Sequence, residues 1–165
     1  MEKKIGLYIC SGCEIGNSID ISLLEKVGLE YKVHLCKSHP KLCQKEAGQM
    51  ISQNIDAEKL DGLVVAACSP RVFTKEFAFD TLTERVNIRE LVVWSHEAND
   101  EDTSMLAEDE LRMSLAKIKA ILSPTAFIPE NLSSDILVIG GGISGITAAI
   151  EGAKAGYKIT LVEKE

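Results

Sequence analysis

Runs of consecutive apolar residues alternate with amphipathic stretches along the first part of the chain. Such runs are typical of strands buried on both faces, and they lie at Lys4–Cys10, Gly62–Cys68 and Leu91–Trp94; a further strand is predicted over Tyr31–Cys36. Apolar residues at helical spacing predict helices over Ile19–Val27 (with Ser18 as its cap), Leu42–Ile55, Arg71–Leu82 and Thr103–Leu122. Strands that alternate with helices predict a doubly wound α/β domain with a parallel sheet over residues 1–122.

A second pattern follows a polar stretch with two prolines, residues 123–134, which we interpret as a linker. A strand is predicted over Ile136–Ile139, then a glycine-rich turn, a helix to about Ala155 and a strand over Lys158–Val162. The predicted fold class is therefore α/β throughout. Residues 135–165 are predicted to form the first βαβ unit of a Rossmann-type FAD-binding domain.

The turn of this βαβ unit carries a dinucleotide fingerprint, Gly140-x-Gly142-x-x-Gly145. Gly140 permits a tight turn, Gly142 lets the backbone approach a pyrophosphate, and Gly145 lets the helix pack closely on the strand. Glu163, at the end of the second strand, can accept hydrogen bonds from ribose hydroxyls. The predicted cofactor-binding set is completed by Ile143, Ser144 and Lys164. One βαβ unit is an incomplete dinucleotide site, so we expect this chain alone to bind the cofactor poorly and the rest of the domain to be supplied by further polypeptide.

Five cysteines lie within the first domain, each at the end of a predicted strand or just after one: Cys10, Cys13, Cys36, Cys43 and Cys68. Binding sites in parallel sheets gather at the carboxyl ends of the strands, so these thiols are predicted to meet at one edge. An odd number of cysteines without an export signal argues against a disulfide framework. The pattern leaves open an iron–sulfur cluster, a zinc ion, free thiols and a thioredoxin-like dithiol at Cys10 and Cys13.

Charge and hydropathy exclude several classes of function. The net charge is −7, with 18 Lys and Arg against 25 Asp and Glu, which argues against nucleic-acid binding. No apolar run approaches the roughly 18 residues of a membrane span. The short apolar run near the N-terminus lacks a signal-peptide cleavage site, so we expect a cytoplasmic protein. No spacing indicates a catalytic triad or paired carboxylates, and no catalytic residue is predicted.

Several motifs in one order carry a family resemblance. They are KIGLYICSGCEI at Lys4–Ile15, LCQKEAGQM at Leu42–Met50, VVAACSPR at Val64–Arg71, VNIRE at Val86–Glu90, and the glycine fingerprint. Together they resemble the N-terminal part of the A subunit of heterodisulfide reductase. The Cys-x-x-Cys pair, followed by the segment Lys37–Pro40, looks most similar to the related subunits of the quinone-interacting membrane-bound oxidoreductase complex.

This resemblance implies an electron-transfer protein that binds FAD and a [4Fe-4S] cluster, faces the cytoplasm beside a membrane complex, and works with partner subunits. It implies Cys10, Cys13, Cys43 and Cys68 as cluster ligands. Cys36 is left over and competes with Cys43 for the same region, and many family members have Cys-x-Cys where this chain has Cys-x-x-Cys. Arg71 is a candidate for balancing the cluster's charge. The alternatives are a non-catalytic docking or zinc-binding module and a dithiol oxidoreductase, and the chain alone is not expected to be a complete enzyme.

Overall fold

The computed structural model describes residues 3–122, 124–129 and 132–164. The chain divides into two compact units, residues 1–123 and 124–165. Both are α/β with parallel strands, so the predicted fold class is confirmed. Within the described ranges, no helix is long and apolar enough to cross a membrane.

The first unit is built on a four-stranded parallel sheet with the order β2-β1-β3-β4. Its elements, in chain order, are β1 (Ile5–Cys10), α1 (Ile15–Ser18), α2 (Ile21–Glu30), β2 (Leu35–His39), α3 (Lys45–Glu58), β3 (Gly62–Ala67), β4 (Leu82–Asn87), a π-helix (Arg89–Val93) and α4 (Glu101–Ala120). β2 and β3 lie on opposite sides of β1, so the strand order reverses at β1. Right-handed crossovers therefore place α2 and α3 on opposite faces of the sheet.

The two central strands form the core of this unit. Every residue of β1 and of β3 is buried, as their continuous apolar runs predict. Leu24 of α2, Ile51 of α3 and Leu111 of α4 are buried in the same core. The ends of β1 and β3 are thus fixed by packing on both faces of the sheet.

The fourth strand lies elsewhere than predicted. It spans Leu82–Asn87, whereas the apolar segment predicted as a strand, Leu91–Trp94, lies mostly in the π-helix. Residues 71–77 form turns in place of the predicted helix Arg71–Leu82. Among the described residues β4 pairs with β3 alone, and its polar side chains have partners outside the sheet. Glu84, for example, accepts a hydrogen bond from Lys117 Nζ at 2.8 Å.

Other boundaries shift by a few residues. β2 spans Leu35–His39 rather than Tyr31–Cys36, so Cys36 lies inside a strand. The cap of α2 is Asp20, whose carboxylate accepts a hydrogen bond from Ser22 N at 2.9 Å, and not Ser18. α3 begins at Lys45, three residues after the predicted start, and α4 spans Glu101–Ala120.

The second unit contains the predicted βαβ arrangement. β5 (Ile136–Ile139), α5 (Ile143–Lys154) and β6 (Ile159–Val162) follow one another, and β5 pairs with β6 in parallel. Few apolar side chains of these strands are covered, and Ile139 is 82% exposed. Gly156, with φ of +91°, follows α5 in a conformation that favours glycine.

Candidate metal and cofactor sites

The point where the strand order reverses positions the first site. β1 ends at Cys10, and Cys68 follows directly after β3, so the carboxyl ends of two adjacent central strands each supply a thiol. Cys13 lies in the loop that follows β1, and Cys43 lies just before α3. A doubly wound sheet offers its binding crevice at this place.

Four cysteines line one small cavity at this crevice. They are the four that the family resemblance implies as ligands: Cys10, Cys13, Cys43 and Cys68. Cys10 and Cys68 are buried, Cys43 is half-buried and Cys13 is exposed. The remaining lining is mostly apolar and consists of Ile15, Leu42, Ala67, Phe77 and Arg89.

Cys36 lies on a different surface of the sheet. It pairs with Leu7 within the sheet, and its Sγ would lie 3.6 Å from a Cβ placed on Gly28 of α2. Burial, reinforced by the nearby charge of Glu25, raises the pKa of the Cys36 thiol to about 11. Cys43 lines the cavity and Cys36 does not, so the structure separates the two candidates that the sequence leaves in competition.

The four thiols share the cavity without converging on a single point. Across residues 3–122, 124–129 and 132–164, no three Cys, His, Asp or Glu side chains lie close enough together to hold one metal ion. Sulfur ligands of a single Zn²⁺ would have to surround it at about 2.3 Å each. In an iron–sulfur cluster each thiolate binds a different iron, so the ligands of one cluster stand farther apart.

The loop between the first two cysteines depends on Gly12. A Cβ at this residue would lie 1.9 Å from the carbonyl oxygen of Pro40, so only glycine fits without displacing backbone. Cys13 and Glu14 both have positive φ, at 51° and 71°. Sequence reasoning did not single out Gly12. Its position between the two cysteines is the signal that could have identified it.

Two arginines that sequence reasoning missed lie beside the thiols. Arg85 Nη2 is 3.4 Å from Cys68 Sγ and donates hydrogen bonds to the carbonyl oxygens of Cys68 (3.1 Å) and Ser69 (3.2 Å). Its guanidinium carbon lies 3.9 Å from the centre of the Phe77 ring. Burial raises the pKa of the Cys68 thiol, and the charges of Arg85 and Arg89 only partly offset this.

The π-helix supplies the second arginine and its acidic partner. Arg89 lines the cavity and its Nη2 lies 2.7 Å from Glu90 Oε1. Glu90 Oε2 in turn accepts a hydrogen bond from Ser69 N at 2.7 Å. Both residues belong to the VNIRE motif, which marked the family resemblance without indicating their role. Arg71, predicted from sequence as the balancing charge, is not among the residues that line the cavity.

The glycine-rich turn of the second unit has the geometry of a phosphate-binding loop. Gly140 has φ of +107°, in the region that favours glycine. A Cβ on Gly145 would lie 1.9 Å from the Gly140 carbonyl oxygen, whereas a Cβ on Gly142 would meet no atom within 4 Å. Gly142 caps α5, and Ile143 and Ser144 are its first helical residues. The first N–H groups of a helix have no partner within it and suit an anion.

Glu163 follows β6 and lies against this turn. Its carboxylate accepts a hydrogen bond from Gly141 N, and its other oxygen accepts one from Lys164 N at 2.7 Å. Lys164 is exposed. The structure therefore brings the acidic residue and the glycine-rich turn together at the end of the two strands.

The second unit matches a protein family, and nearly the whole chain is similar to a group of known proteins. Residues 135–165 match the family described as FAD dependent oxidoreductase. The chain is 38% identical to the A subunit of the ferredoxin/F(420)H(2)-dependent CoB-CoM heterodisulfide reductase of Methanosarcina acetivorans, over 98% of the chain and 22% of that protein. It is 34% identical to the A subunit of the H(2):CoB-CoM heterodisulfide,ferredoxin reductase of Methanothermobacter marburgensis, over 99% of the chain and 26% of that protein.

These similarities confirm the resemblance to the A subunit of heterodisulfide reductase that the motifs indicate. They also support an FAD oxidoreductase role for the second unit. The chain spans about a quarter of the length of the curated relatives that it matches. The predicted closeness to quinone-interacting complexes stays a prediction.

Proposed function

We propose that this chain is an electron-transfer segment of a heterodisulfide reductase A-like flavoprotein. Its first unit binds one [4Fe-4S] cluster through Cys10, Cys13, Cys43 and Cys68. Its second unit contributes the phosphate-binding turn of an FAD site. Electrons then pass between the cluster, the flavin and partner subunits.

The observation that carries this proposal is the single cavity lined by four thiols that are far apart in sequence. Thiolates are soft ligands that suit iron–sulfur clusters. Two of the thiols are buried and the rest of the lining is almost entirely apolar, which limits the access of water and oxidants. A bound cluster would accept and release single electrons at this position.

The second unit supports the flavin part of the proposal. The open space above Gly142, the N-terminus of α5 and the Glu163 carboxylate form one end of a dinucleotide site. Its strands remain largely uncovered by other described residues, so we propose that residues outside this segment complete the flavin site. Other subunits of a complex then act as electron donor and acceptor.

Two alternative functions would require different arrangements of the cysteines. A dithiol oxidoreductase needs only Cys10 and Cys13, and gives no reason for Cys43 and Cys68 to line the same cavity. A zinc-binding docking module needs ligands that surround one ion, and no three of the described Cys, His, Asp or Glu side chains lie close enough together to do so. The arrangement of the four thiols therefore suits a cluster better than either alternative.

Anaerobic reconstitution of the 165-residue chain with iron and sulfide tests this proposal. We expect about four irons and four sulfides per chain, and a visible absorption band that bleaches with dithionite. The matched pair Cys43→Ser and Cys36→Ser uses the two cysteines that the sequence leaves in competition. The first variant should lose the cluster, and the second should retain it.

Three results would contradict the proposal. A colourless chain without iron after reconstitution would exclude the cluster. Binding of one zinc ion in place of iron would favour the docking module. A reversible disulfide between Cys10 and Cys13 that is unaffected by Cys43→Ser would favour the dithiol oxidoreductase.

A further inference from the structure

Two guanidinium groups approach a cavity that is otherwise made of thiols and apolar side chains. We infer that Arg85 and Arg89 set the redox potential of the site by stabilising negative charge on the cysteine sulfurs, most strongly at Cys68. This inference rests on the proposed function, because it concerns the charge that four thiolates and a cluster would carry. It assigns a role to two residues outside the set of ligands.

Arg85 is held from several directions. Two carbonyl oxygens after β3 accept hydrogen bonds from its Nη2, and the Phe77 ring packs against its guanidinium. The same Nη2 lies 3.4 Å from Cys68 Sγ, so Cys68 has a direct cationic partner, and Arg89 donates a side-chain hydrogen bond to Cys13. These contacts fix the position of the positive charge beside one ligand.

Arg85 also has donor capacity that the described residues do not use. Its Nε–H is buried and has no hydrogen-bond partner among residues 3–122, 124–129 and 132–164. A buried donor without an acceptor is costly, and burial lowers the pKa of this guanidinium despite the neighbouring Cys68 thiol. An arginine so placed is better explained by a negatively charged neighbour than by packing alone.

Arg89 is positioned by the π-helix. Its side chain is 14% exposed. The guanidinium carbon lies 4.6 Å from the centre of the Trp94 ring, and Nη2 lies 2.7 Å from Glu90 Oε1. Glu90 also binds the backbone N–H of Ser69, next to Cys68. The π-helix and the loop after β3 are therefore joined by one carboxylate, which holds Arg89 at the cavity wall.

The electrostatic consequence has a definite sign. Uptake of one electron from an external reductant such as dithionite adds one negative charge to the site. Fixed positive charges in a partly desolvated place stabilise that added charge, and hydrogen bonds to sulfur act in the same direction. Removal of either arginine should therefore disfavour reduction and lower the midpoint potential.

The experiment compares Arg85→Gln and Arg89→Gln with the wild-type chain after anaerobic reconstitution. The readouts are iron and sulfide content, the midpoint potential from a dithionite titration followed by absorption, and the circular dichroism of the iron-free chain. In each variant we expect intact iron content and at least a tenfold lower equilibrium constant for reduction. That change corresponds to about 59 mV for one electron.

Arg112→Gln is the matched control for net charge. Arg112 lies on α4 and pairs with Glu30, the last residue of α2, before the start of β2 and thus away from the carboxyl ends of the strands. The Arg112→Gln substitution removes one positive charge from the same unit. The equilibrium constant for reduction should then change by no more than about twofold. Arg85→Lys keeps the charge but loses the planar donor group, so its potential should lie between wild type and Arg85→Gln.

The outcomes separate this inference from the proposed function. Normal iron content with unchanged potentials in both glutamine variants would overturn the inference and leave the cluster proposal standing. An equal shift in Arg112→Gln would also overturn it, because net charge alone would then be responsible. A wild-type chain that binds no iron would overturn both. If Arg85→Gln does not fold, as judged by circular dichroism, Arg89→Gln and Arg85→Lys decide the result.

Discussion

The two units of this chain share one local plan but differ in how completely they are buried. In each, an apolar strand leads through a glycine-containing turn to a helix. Every residue of β1 and β3 is buried, whereas β5 and β6 contain no fully buried residue. The first unit has helices on both faces of its sheet, while the described residues of the second cover its strands only in part.

This difference shows which features a short sequence motif determines by itself and which require a complete fold. The glycine-rich turn of the second unit has its local geometry without a complete core around it. The thiol cavity of the first unit exists only because a finished sheet brings distant segments to one edge. We therefore expect the first unit to fold and load its cofactor within this chain, and the second to need residues outside the segment for flavin binding.

The largest expected effect comes from shortening a buried strand residue in the first unit. Leu63→Ala removes a side chain of β3 that is fully buried, and should lower the free energy of unfolding by about 2–5 kcal/mol. Leu137→Ala in β5 shortens a side chain that is 60% exposed and should cost less than about 0.5 kcal/mol. Urea unfolding followed by the fluorescence of Trp94, the single tryptophan, measures the first unit, and far-UV circular dichroism of the same samples includes the second. Equal losses in the two variants would contradict the comparison.

A second pair places the same backbone clash in each unit. An added Cβ would lie 1.9 Å from a carbonyl oxygen both at Gly12 and at Gly145. Gly12→Ala should destabilise the first unit by about 1–3 kcal/mol and reduce its iron content, since the loop bearing Cys13 must move. Gly145→Ala should leave the Trp94 transition and the iron content unchanged. Loss of iron in Gly145→Ala would show that the cysteine site depends on the second unit.

Thiol labelling measures how far burial protects the sheet of the first unit. The pKa of Cys36 is raised to about 11, so its thiolate fraction at pH 8 should be about 100-fold lower than in the unfolded chain. Alkylation of Cys36 by iodoacetamide should therefore be at least that much slower when folded, and accelerate about tenfold per pH unit up to about pH 10. A cysteine placed by Ile139→Cys in β5 should label rapidly. Mass spectrometry of the peptides gives both rates, and a Cys36 that labels as fast as this exposed probe would contradict the assignment.

The smallest expected effect is a gain in stability. Gly48 lies inside α3, and a Cβ there would meet no atom within 4 Å. Gly48→Ala should stabilise the first unit by about 0.5–1 kcal/mol, because alanine favours the helix and restricts the unfolded chain. Gly28→Ala in α2 is the contrast, since its Cβ would lie 2.9 Å from Leu7 Cδ2. A destabilising Gly48→Ala in the same urea experiment would show that the surface beside α3 is more crowded than the structure indicates.

Sequence reasoning was successful where a pattern has one physical explanation. The runs that became β1 and β3 are apolar throughout, and only a strand buried on both faces accounts for them at that length. The positions of Cys10 and Cys68 at the ends of these strands then indicate a shared edge. Gly140 and Gly145 likewise have steric reasons that follow from their spacing between a strand and a helix.

It was wrong where partners distant in sequence decide the local structure. β4 contains Glu84 and Arg85, which hydrogen-bond to Lys117 and to carbonyl oxygens of the loop after β3, so its pattern did not resemble a buried strand. The more apolar segment after it became a π-helix that places Arg89 at the cavity. The role of both arginines could not be predicted from the sequence, because it depends on how close the fold brings them to Cys68.

The central claim is that the four cysteines of the first unit hold one [4Fe-4S] cluster. Anomalous X-ray scattering at the iron edge, from anaerobic crystals of the reconstituted chain, tests it most directly. We expect four iron positions inside the cavity, each bonded to one of Cys10, Cys13, Cys43 and Cys68, with Cys36 unbound beneath α2. A single metal ion, iron bound to Cys36, or a cavity closed by a disulfide would contradict it.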